Sequence, residues 1–173
     1  MPLRADYDRQ TCSLARTLEV VGERWTLLIV RDLFMGVQRF GGLAAHLDIP
    51  RAILSTRLSS LEAEGLVERR PYSATREEFH LTQAGRDLWP AVYALTSWGE
   101  RYRCAGGGAR RLWLHAACGT ELDAAGDCRA CDVTPAPEDV VTRPGPGRDR
   151  PLRDDRVSLA LREPHRLLTP LSV

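Results

Sequence analysis

The sequence contains no lysine and no asparagine, so all 24 of its basic residues are arginine. We interpret this bias as the mark of a gene of high GC content rather than as a functional feature. Acidic residues number 23 and leave a net charge of +1, which does not by itself indicate a nucleic-acid partner. Evidence for DNA binding must therefore come from where individual arginines lie.

Long apolar runs are also missing. No segment approaches the ~18 apolar residues of a membrane span, and the first residues lack the hydrophobic core of a signal peptide. We therefore expect a cytoplasmic protein with no membrane partner. The chain is 43% hydrophobic and 27% charged, which is typical of a globular protein. Its 173 residues can form one sizeable core and a small module held by a staple or a metal.

Apolar periodicity predicts a series of helices followed by a β-hairpin and a last long helix. Thr11 and Thr82 are the predicted N-caps of the first and last helices. Two short helices joined by a tight turn and followed by a hairpin have the order of a winged helix-turn-helix, so the expected fold class is mainly α with a β-hairpin wing. The predicted helices span residues 12–21, 25–34, 40–47, 51–64 and 82–102, the strands span 66–70 and 77–81, and the hairpin tip spans 71–75.

The fourth predicted helix has the features of a DNA-reading helix. Leu54, Leu58 and Leu61 share one face, while the opposite face carries small and hydroxylated side chains that can enter the ~12 Å wide major groove. A solvated surface would explain such a face in isolation, but its place between a tight turn and a basic hairpin favours DNA. The predicted DNA-binding residues are Arg51, Ala52, Ser55, Thr56, Arg57 and Ser59 on the helix and Arg69, Arg70, Tyr72, Ser73 and Arg76 on the wing.

An apolar stripe along the last helix predicts a homodimer. Its members recur every three or four residues, and a closed domain leaves such a stripe few partners of its own. Packing on the first helix is the alternative, and the two are compatible. A two-fold dimer would place two reading helices about one duplex turn apart, on a pseudo-palindromic operator of double-stranded DNA. The predicted dimerisation residues are Leu88, Val92, Leu95, Trp98 and Tyr102.

Four of the cysteine and histidine residues form two closely spaced pairs. Two residues separate His115 from Cys118 and Cys128 from Cys131, and nine lie between the pairs. Such pairs wrap around one tetrahedral ion, and four protein ligands close it to substrate, so the spacing predicts a structural zinc ion in a small β-rich ribbon. A degenerate ribbon that collapses without metal, or thiols oxidised in handling, remain alternatives.

Cys12 lies outside this cluster, at the predicted start of the first helix. Arg9 and Arg16 are close in sequence, and both they and the helix N-terminus favour a thiolate. We therefore consider Cys12 a candidate redox sensor, with a small, inert residue as the alternative. No nucleophile or acid–base constellation accompanies it, and the predicted zinc site is closed, so we expect that the protein is not an enzyme.

The sequence contains several ordered motifs: CSLAR (12–16), VGERWTLLIVRDL (21–33), GVQRF (36–40), LSTRLSSL (54–61), EGLVERR (64–70), LTQAGRDL (81–88) and WG (98–99). Together these motifs resemble the HxlR family of transcriptional regulators, which is related to the MarR regulators. The resemblance covers residues 12–102. It implies a dimeric DNA-binding protein, with Arg57 at the family's arginine before the second core leucine and Cys12 at the position where some members sense oxidants or electrophiles. The region from His115 onward resembles a ribbon-like extension of some members, whereas the wing lacks the family's usual proline-rich stretch.

The predicted organisation has four parts. Residues 1–104 form the winged helix-turn-helix for DNA binding and dimerisation, 105–109 a glycine-rich linker, 110–145 the zinc-ribbon-like module, and 146–173 an arginine-rich flexible tail in which 157–161 could add a strand to the ribbon. We expect a sequence-specific transcriptional regulator. It should act as a repressor, and an oxidant, an electrophile or a small ligand should modulate its affinity for DNA. The alternative function is a winged-helix protein-interaction module without specific DNA binding.

Overall fold

Four helices build the first part of the fold. The computed structural model describes residues 7, 10–104, 107–147 and 153–171. The predicted N-cap Thr11 is wrong, because Cys12 is the extended residue whose carbonyl accepts the first helical hydrogen bond, from the Arg16 N–H at 3.2 Å. The helices are α1 (Ser13–Val21), α2 (Thr26–Phe34), α3 (Phe40–Leu47) and α4 (Arg51–Ala63).

The turns that follow α2 and α3 use left-handed backbone. Gly36 follows α2 with a φ of 76°, and Asp48 ends α3 with a φ of 53°. A side chain at Gly36 would collide with the Thr169 carbonyl, so this turn requires glycine. Helices α3 and α4 and the turn between them form the helix-turn-helix.

A two-stranded antiparallel wing follows, made of β1 (Val67–Ser73) and β2 (Arg76–Leu81). Its tip is tighter than the predicted 71–75, since Pro71 pairs with Glu77 and Ser73 pairs with Arg76 around a bulge. Proline is tolerated there because both strands of a two-stranded sheet are edge strands.

The predicted last helix is two helices. The Thr82 hydroxyl accepts a hydrogen bond from the Gly85 N–H at 3.2 Å, so Thr82 caps only the short α5 (Gln83–Arg86). The long helix α6 (Trp89–Arg103) starts separately, with Pro90 in its first turn. Proline has no N–H to continue α5, which explains the break. None of the helices in the described part of the chain is long and apolar enough to span a membrane.

The C-terminal part is a three-stranded antiparallel sheet that includes the tail. Strands β3 (Arg111–His115), β4 (Val140–Pro144) and β5 (His165–Arg166) pair in that order. A short 3-10 turn (Pro137–Asp139) leads into β4.

The tail differs from the predicted flexible segment over residues 153–171. It contains α7 (Arg156–Ala160), capped by the Asp155 carboxylate, which accepts from the Ser158 N–H at 3.0 Å. The strand suggested for 157–161 is wrong, because Val157 and Leu161 lie one helical turn apart and bury the same face. Residues 148–152 and 172–173 of the predicted tail, and residues 105–106 of the predicted linker, lie outside the described residues.

One hydrophobic core joins the two parts. Trp113 of β3 contacts Trp89 of α6 with ring centroids 5.3 Å apart, and Trp89 contacts Phe34 of α2 at 5.1 Å. The Tyr93 hydroxyl donates to the Asp123 carbonyl at 2.8 Å, across the same junction. The ribbon is therefore packed on the winged helix rather than held by a linker alone.

Candidate DNA-binding surface and metal centre

Helix α4 presents a low-profile polar face to solvent. Ala52, Ser55, Thr56 and Ser59 are exposed, while the three leucines of the opposite face are buried. The Thr56 hydroxyl donates to the Ala52 carbonyl at 3.0 Å, which satisfies its proton and leaves its oxygen free to accept a further bond. This face combines a shallow profile with polar groups that can contact base edges.

The two arginines of α4 differ in their surroundings. The Arg51 guanidinium lies 4.9 Å from the Phe40 ring centroid, and it has no carboxylate partner among the described residues. Arg57 is half-buried and lies 3.6 Å from the Glu23 carboxylate. Arg51 is thus available to an anion, whereas Arg57 must leave a partner first.

The two arginines of β1 form ion pairs with carboxylates. Arg69 binds Glu62 at 2.9 Å and lies 3.5 Å from Glu77, and Arg70 Nε donates to Glu68 at 2.8 Å. Arg76 is exposed at the wing tip and has no carboxylate partner in the part of the chain that the structure describes. The positive charge that the wing can offer a phosphate is therefore concentrated at its tip.

Tyr72 and Ser73, the other predicted wing residues, are both exposed. Tyr72 stacks against Arg39, whose guanidinium lies 4.6 Å from the ring centroid and also donates to Glu78 at 2.9 Å. Sequence reasoning missed Arg39, which connects the wing to the start of α3. The signal was its place directly before the first residue of the helix-turn-helix.

A buried carboxylate ties α2 to α3 and was also missed. Asp32 is fully buried, accepts from Arg31 Nη2 at 2.7 Å, and lies 2.6 Å from Nδ1 of His46. The only acidic residue of a mainly apolar helix was the available signal, since a buried charge needs partners. The pair fixes the first helix of the helix-turn-helix against the core.

The predicted dimerisation stripe divides between the core and the surface. Val92 is buried and Leu88 is half-buried against the core. Leu95, Trp98 and Tyr102 remain 54%, 51% and 61% exposed. Leu14 and Leu18 of α1 are also exposed, so α1, like α6, carries more than one uncovered large apolar residue.

The four Cys and His side chains converge on one point. The ligand atoms of His115, Cys118, Cys128 and Cys131 all lie within 4.8 Å of one another. Cys118 Sγ is 3.5 Å from His115 Nδ1 and 3.4 Å from Cys128 Sγ. Zinc bonds of about 2.3 Å to sulfur and 2.0 Å to nitrogen place such atoms about 3.5 to 3.8 Å apart in a tetrahedron. The cluster can therefore hold one metal ion and fill all four of its positions.

Local backbone geometry forms the half of this centre that carries His115 and Cys118. His115 ends β3, and the Gly119 N–H donates to its carbonyl at 2.8 Å in a turn that needs the φ of 72° at Gly119.

Thr120 hydrogen bonds lower the pKa of Cys118 to about 6, and the adjacent Cys118 raises the pKa of Cys131 to about 11. A thiolate at Cys118 suits a metal ligand, because thiolates are the coordinating form.

Cys12 is exposed directly before α1. The backbone N–H groups of Ala15 and Leu14 lower the pKa of its thiol. Arg16 binds Glu19 at 2.9 Å, so its charge is shared, and Arg9 lies outside the described residues. The thiolate is favoured mainly by the helix N-terminus.

A helix-turn-helix, a β-hairpin wing and an exposed polar face on α4 define a winged helix-turn-helix transcriptional regulator. Residues 20–106 match the family model described as HxlR-like helix-turn-helix. The chain belongs to the HxlR family, which confirms the resemblance found in the sequence and the expected fold class.

Individual relatives agree with this assignment. The HTH-type transcriptional regulator Rv3095 of Mycobacterium tuberculosis is 46% identical over 137 residues, 78% of this chain and 87% of that protein. The crystal structure of the transcription factor PA1607 is 34% identical, with a TM-score of 0.54 over 70% of this chain and 96% of that one. The redox regulator HypR in its reduced form is 32% identical, with a TM-score of 0.50 over 53% of this chain and 94% of that one.

Proposed function

We propose that this regulator is a homodimeric repressor that reads a pseudo-palindromic operator with α4 and contacts phosphates with Arg51 and Arg76. The observation that carries the proposal is the exposed polar face of α4. Two arginines without carboxylate partners in the described chain accompany it, Arg51 at the start of α4 and Arg76 at the wing tip. The exposed apolar residues of α1 and α6 support the dimer, which would set two α4 helices on successive turns of the duplex.

Selection of bound fragments from a random duplex pool tests this function. We expect a motif with two inverted half-sites about 10 base pairs apart, centre to centre. Recovery of single half-sites would contradict the dimeric reading. Recovery of no motif would favour a protein-interaction module, in which the same α4 face contacts a partner protein.

We further propose that Cys12 makes DNA binding sensitive to oxidants. HypR, a redox regulator, is similar to this chain, and the exposed Cys12 thiol has a lowered pKa. Treatment with hydrogen peroxide should change the affinity of the unmodified protein for its selected duplex and leave the C12S variant unaffected. The C104S variant serves as the control and should respond like the unmodified protein. If peroxide changed the DNA affinity of C12S as much as that of the unmodified protein, the proposal would be contradicted.

The metal in the four-ligand centre is proposed to be structural zinc. Three sulfurs and one imidazole nitrogen are a zinc donor set, and a closed tetrahedron leaves no position for a substrate. Metal analysis of purified protein should find one zinc ion per chain, and C128S should lose the zinc and melt at a lower temperature. The zinc centre would be ruled out if the purified unmodified protein contained no zinc and melted at the same temperature as C128S.

A further inference from the structure

The C-terminal tail runs from the metal ribbon back to the helix-turn-helix. We call residues 153–171 the strap. Its strand β5 pairs with β4, and the Leu167 N–H donates to the Val140 carbonyl at 2.9 Å. The next residue, Leu168, donates to the carbonyl of Phe34, the last residue of α2, at 2.7 Å. The strap thus connects the ribbon sheet to the helix that precedes the helix-turn-helix.

The connection starts at a metal ligand. Val140 pairs with His115 on its other side, across β3 and β4, and it is completely buried. A path of backbone pairing therefore runs from His115 through Val140 and the pair Leu167–Leu168 to the end of α2. Cys128, another ligand, is fully buried in the same core.

A second attachment reaches α3 itself. Val157 of α7 is 1% exposed and lies against Gly42 of α3. A Cβ added to Gly42 would be 3.6 Å from a methyl group of Val157. Arg153 Nη2 donates to the Ala45 carbonyl at 2.7 Å. The strap therefore holds α3 near its middle and near its end.

The position of α3 in turn affects α4, because the two helices form one unit. Phe40 at the start of α3 packs under the Arg51 guanidinium at the start of α4. The ribbon itself depends on its ion, since binding free energy at such a centre becomes folding free energy of a small module. Metal loss should therefore loosen β4, β5 and the strap before it loosens the wing.

We propose that the strap couples metal loading of the ribbon to DNA binding: the loaded ribbon fixes the strap on α3, and metal loss releases α3 and weakens binding by α4. This inference rests on the proposed function of α4. It assigns the ribbon a regulatory role in addition to its structural one, with a divalent metal ion such as zinc as the effector.

Hydrogen exchange of the full-length protein tests the coupling without reference to DNA. Removal of zinc by a chelator should speed exchange of the α3 amides, while the β1 and β2 amides keep their protection and report that the winged helix is folded. Affinity for the selected duplex should fall about tenfold on metal removal and return when zinc is added. Unchanged exchange in α3 after complete metal removal would overturn the proposal.

Val157→Asp separates the strap from the metal centre. This variant should still bind one zinc ion per chain, but its DNA affinity should equal that of the metal-free protein and should no longer respond to zinc. Leu159→Asp is the matched control on the same helix, since Leu159 is 43% exposed, and it should behave like the unmodified protein. A zinc response retained in Val157→Asp would contradict the proposal.

Two further results keep the interpretation distinct. If Val157→Asp loses zinc, the comparison is repeated with Arg153→Ala, which removes only the hydrogen bonds and ion pairs of that side chain. A zinc response of Arg153→Ala equal to that of the unmodified protein would overturn the proposed coupling through the strap. If zinc-loaded unmodified protein binds no DNA, the proposed function fails, while exchange in α3 still decides whether metal controls this helix.

Discussion

At the scale of single residues, ion pairing decides which arginines can serve DNA. Because all the basic residues are arginine, their number carries little information, and their partners carry more. Arg69 and Arg70 are held by glutamates, whereas Arg51 and Arg76 have no carboxylate partner within the described ranges. The sequence shows which residues are basic, but it does not show which carboxylate each one faces in the folded wing.

We predict that Arg76→Ala weakens DNA binding more than Arg70→Ala does. Arg76 gives its full charge to a phosphate, whereas Arg70 must first leave Glu68. Affinity measured over a range of salt concentrations should show a slope reduced by about one for each arginine of the dimer that contacts a phosphate. Equal losses for the two variants would show that the Glu68 pair does not persist on DNA.

The buried Asp32 should matter for stability rather than for DNA contact. Asp32→Asn leaves Arg31 and His46 without the carboxylate that they share, and breaking a buried pair costs about 3 to 5 kcal/mol of unfolding free energy. Urea denaturation of this variant should show that loss. Asp154→Asn, at an exposed position, is the control and should change stability by less than about 0.5 kcal/mol.

At the scale of elements, periodicity predicted the first four helices well, with bounds of α3 identical to those observed. It failed where a local break competes with a long apolar pattern. The stripe from Leu88 to Tyr102 is regular enough to suggest one helix from Thr82, but Pro90 cannot donate the hydrogen bond that would join α5 to α6. Within α6 itself, Val92 belongs to the core while the later stripe residues are exposed.

We predict that Trp98→Glu disrupts the dimer. Trp98 is 51% exposed and contacts Tyr102 with ring centroids 5.5 Å apart, so a carboxylate there would be buried without a partner in a helix-paired dimer. Sedimentation analysis should show a dimer for the unmodified protein and a monomer for the variant. Leu159→Glu, an exposed apolar residue of α7, should stay dimeric; a monomer for the unmodified protein would contradict the dimer.

At the scale of the whole molecule, the ribbon and the strap are part of one core with the winged helix. The sequence indicated the metal ligands because their spacing is local, two residues within each pair. It did not indicate the docking of residues 153–171, because their arginine, proline and aspartate content is typical of a flexible segment. Three of their apolar residues, Val157, Leu161 and Leu167, are buried by contacts with distant parts of the chain.

The central claim is that α4 reads DNA, and the affinity of the Ser59→Glu variant for the selected duplex tests it most directly. Ser59 is exposed on the polar face of α4, so a carboxylate there would meet the negative charge of the groove and should lower affinity at least about 100-fold. Ala124→Glu adds the same charge at an exposed position of the ribbon and should change affinity little. Equal affinities for Ser59→Glu, Ala124→Glu and the unmodified protein would show that this face of α4 does not enter the groove.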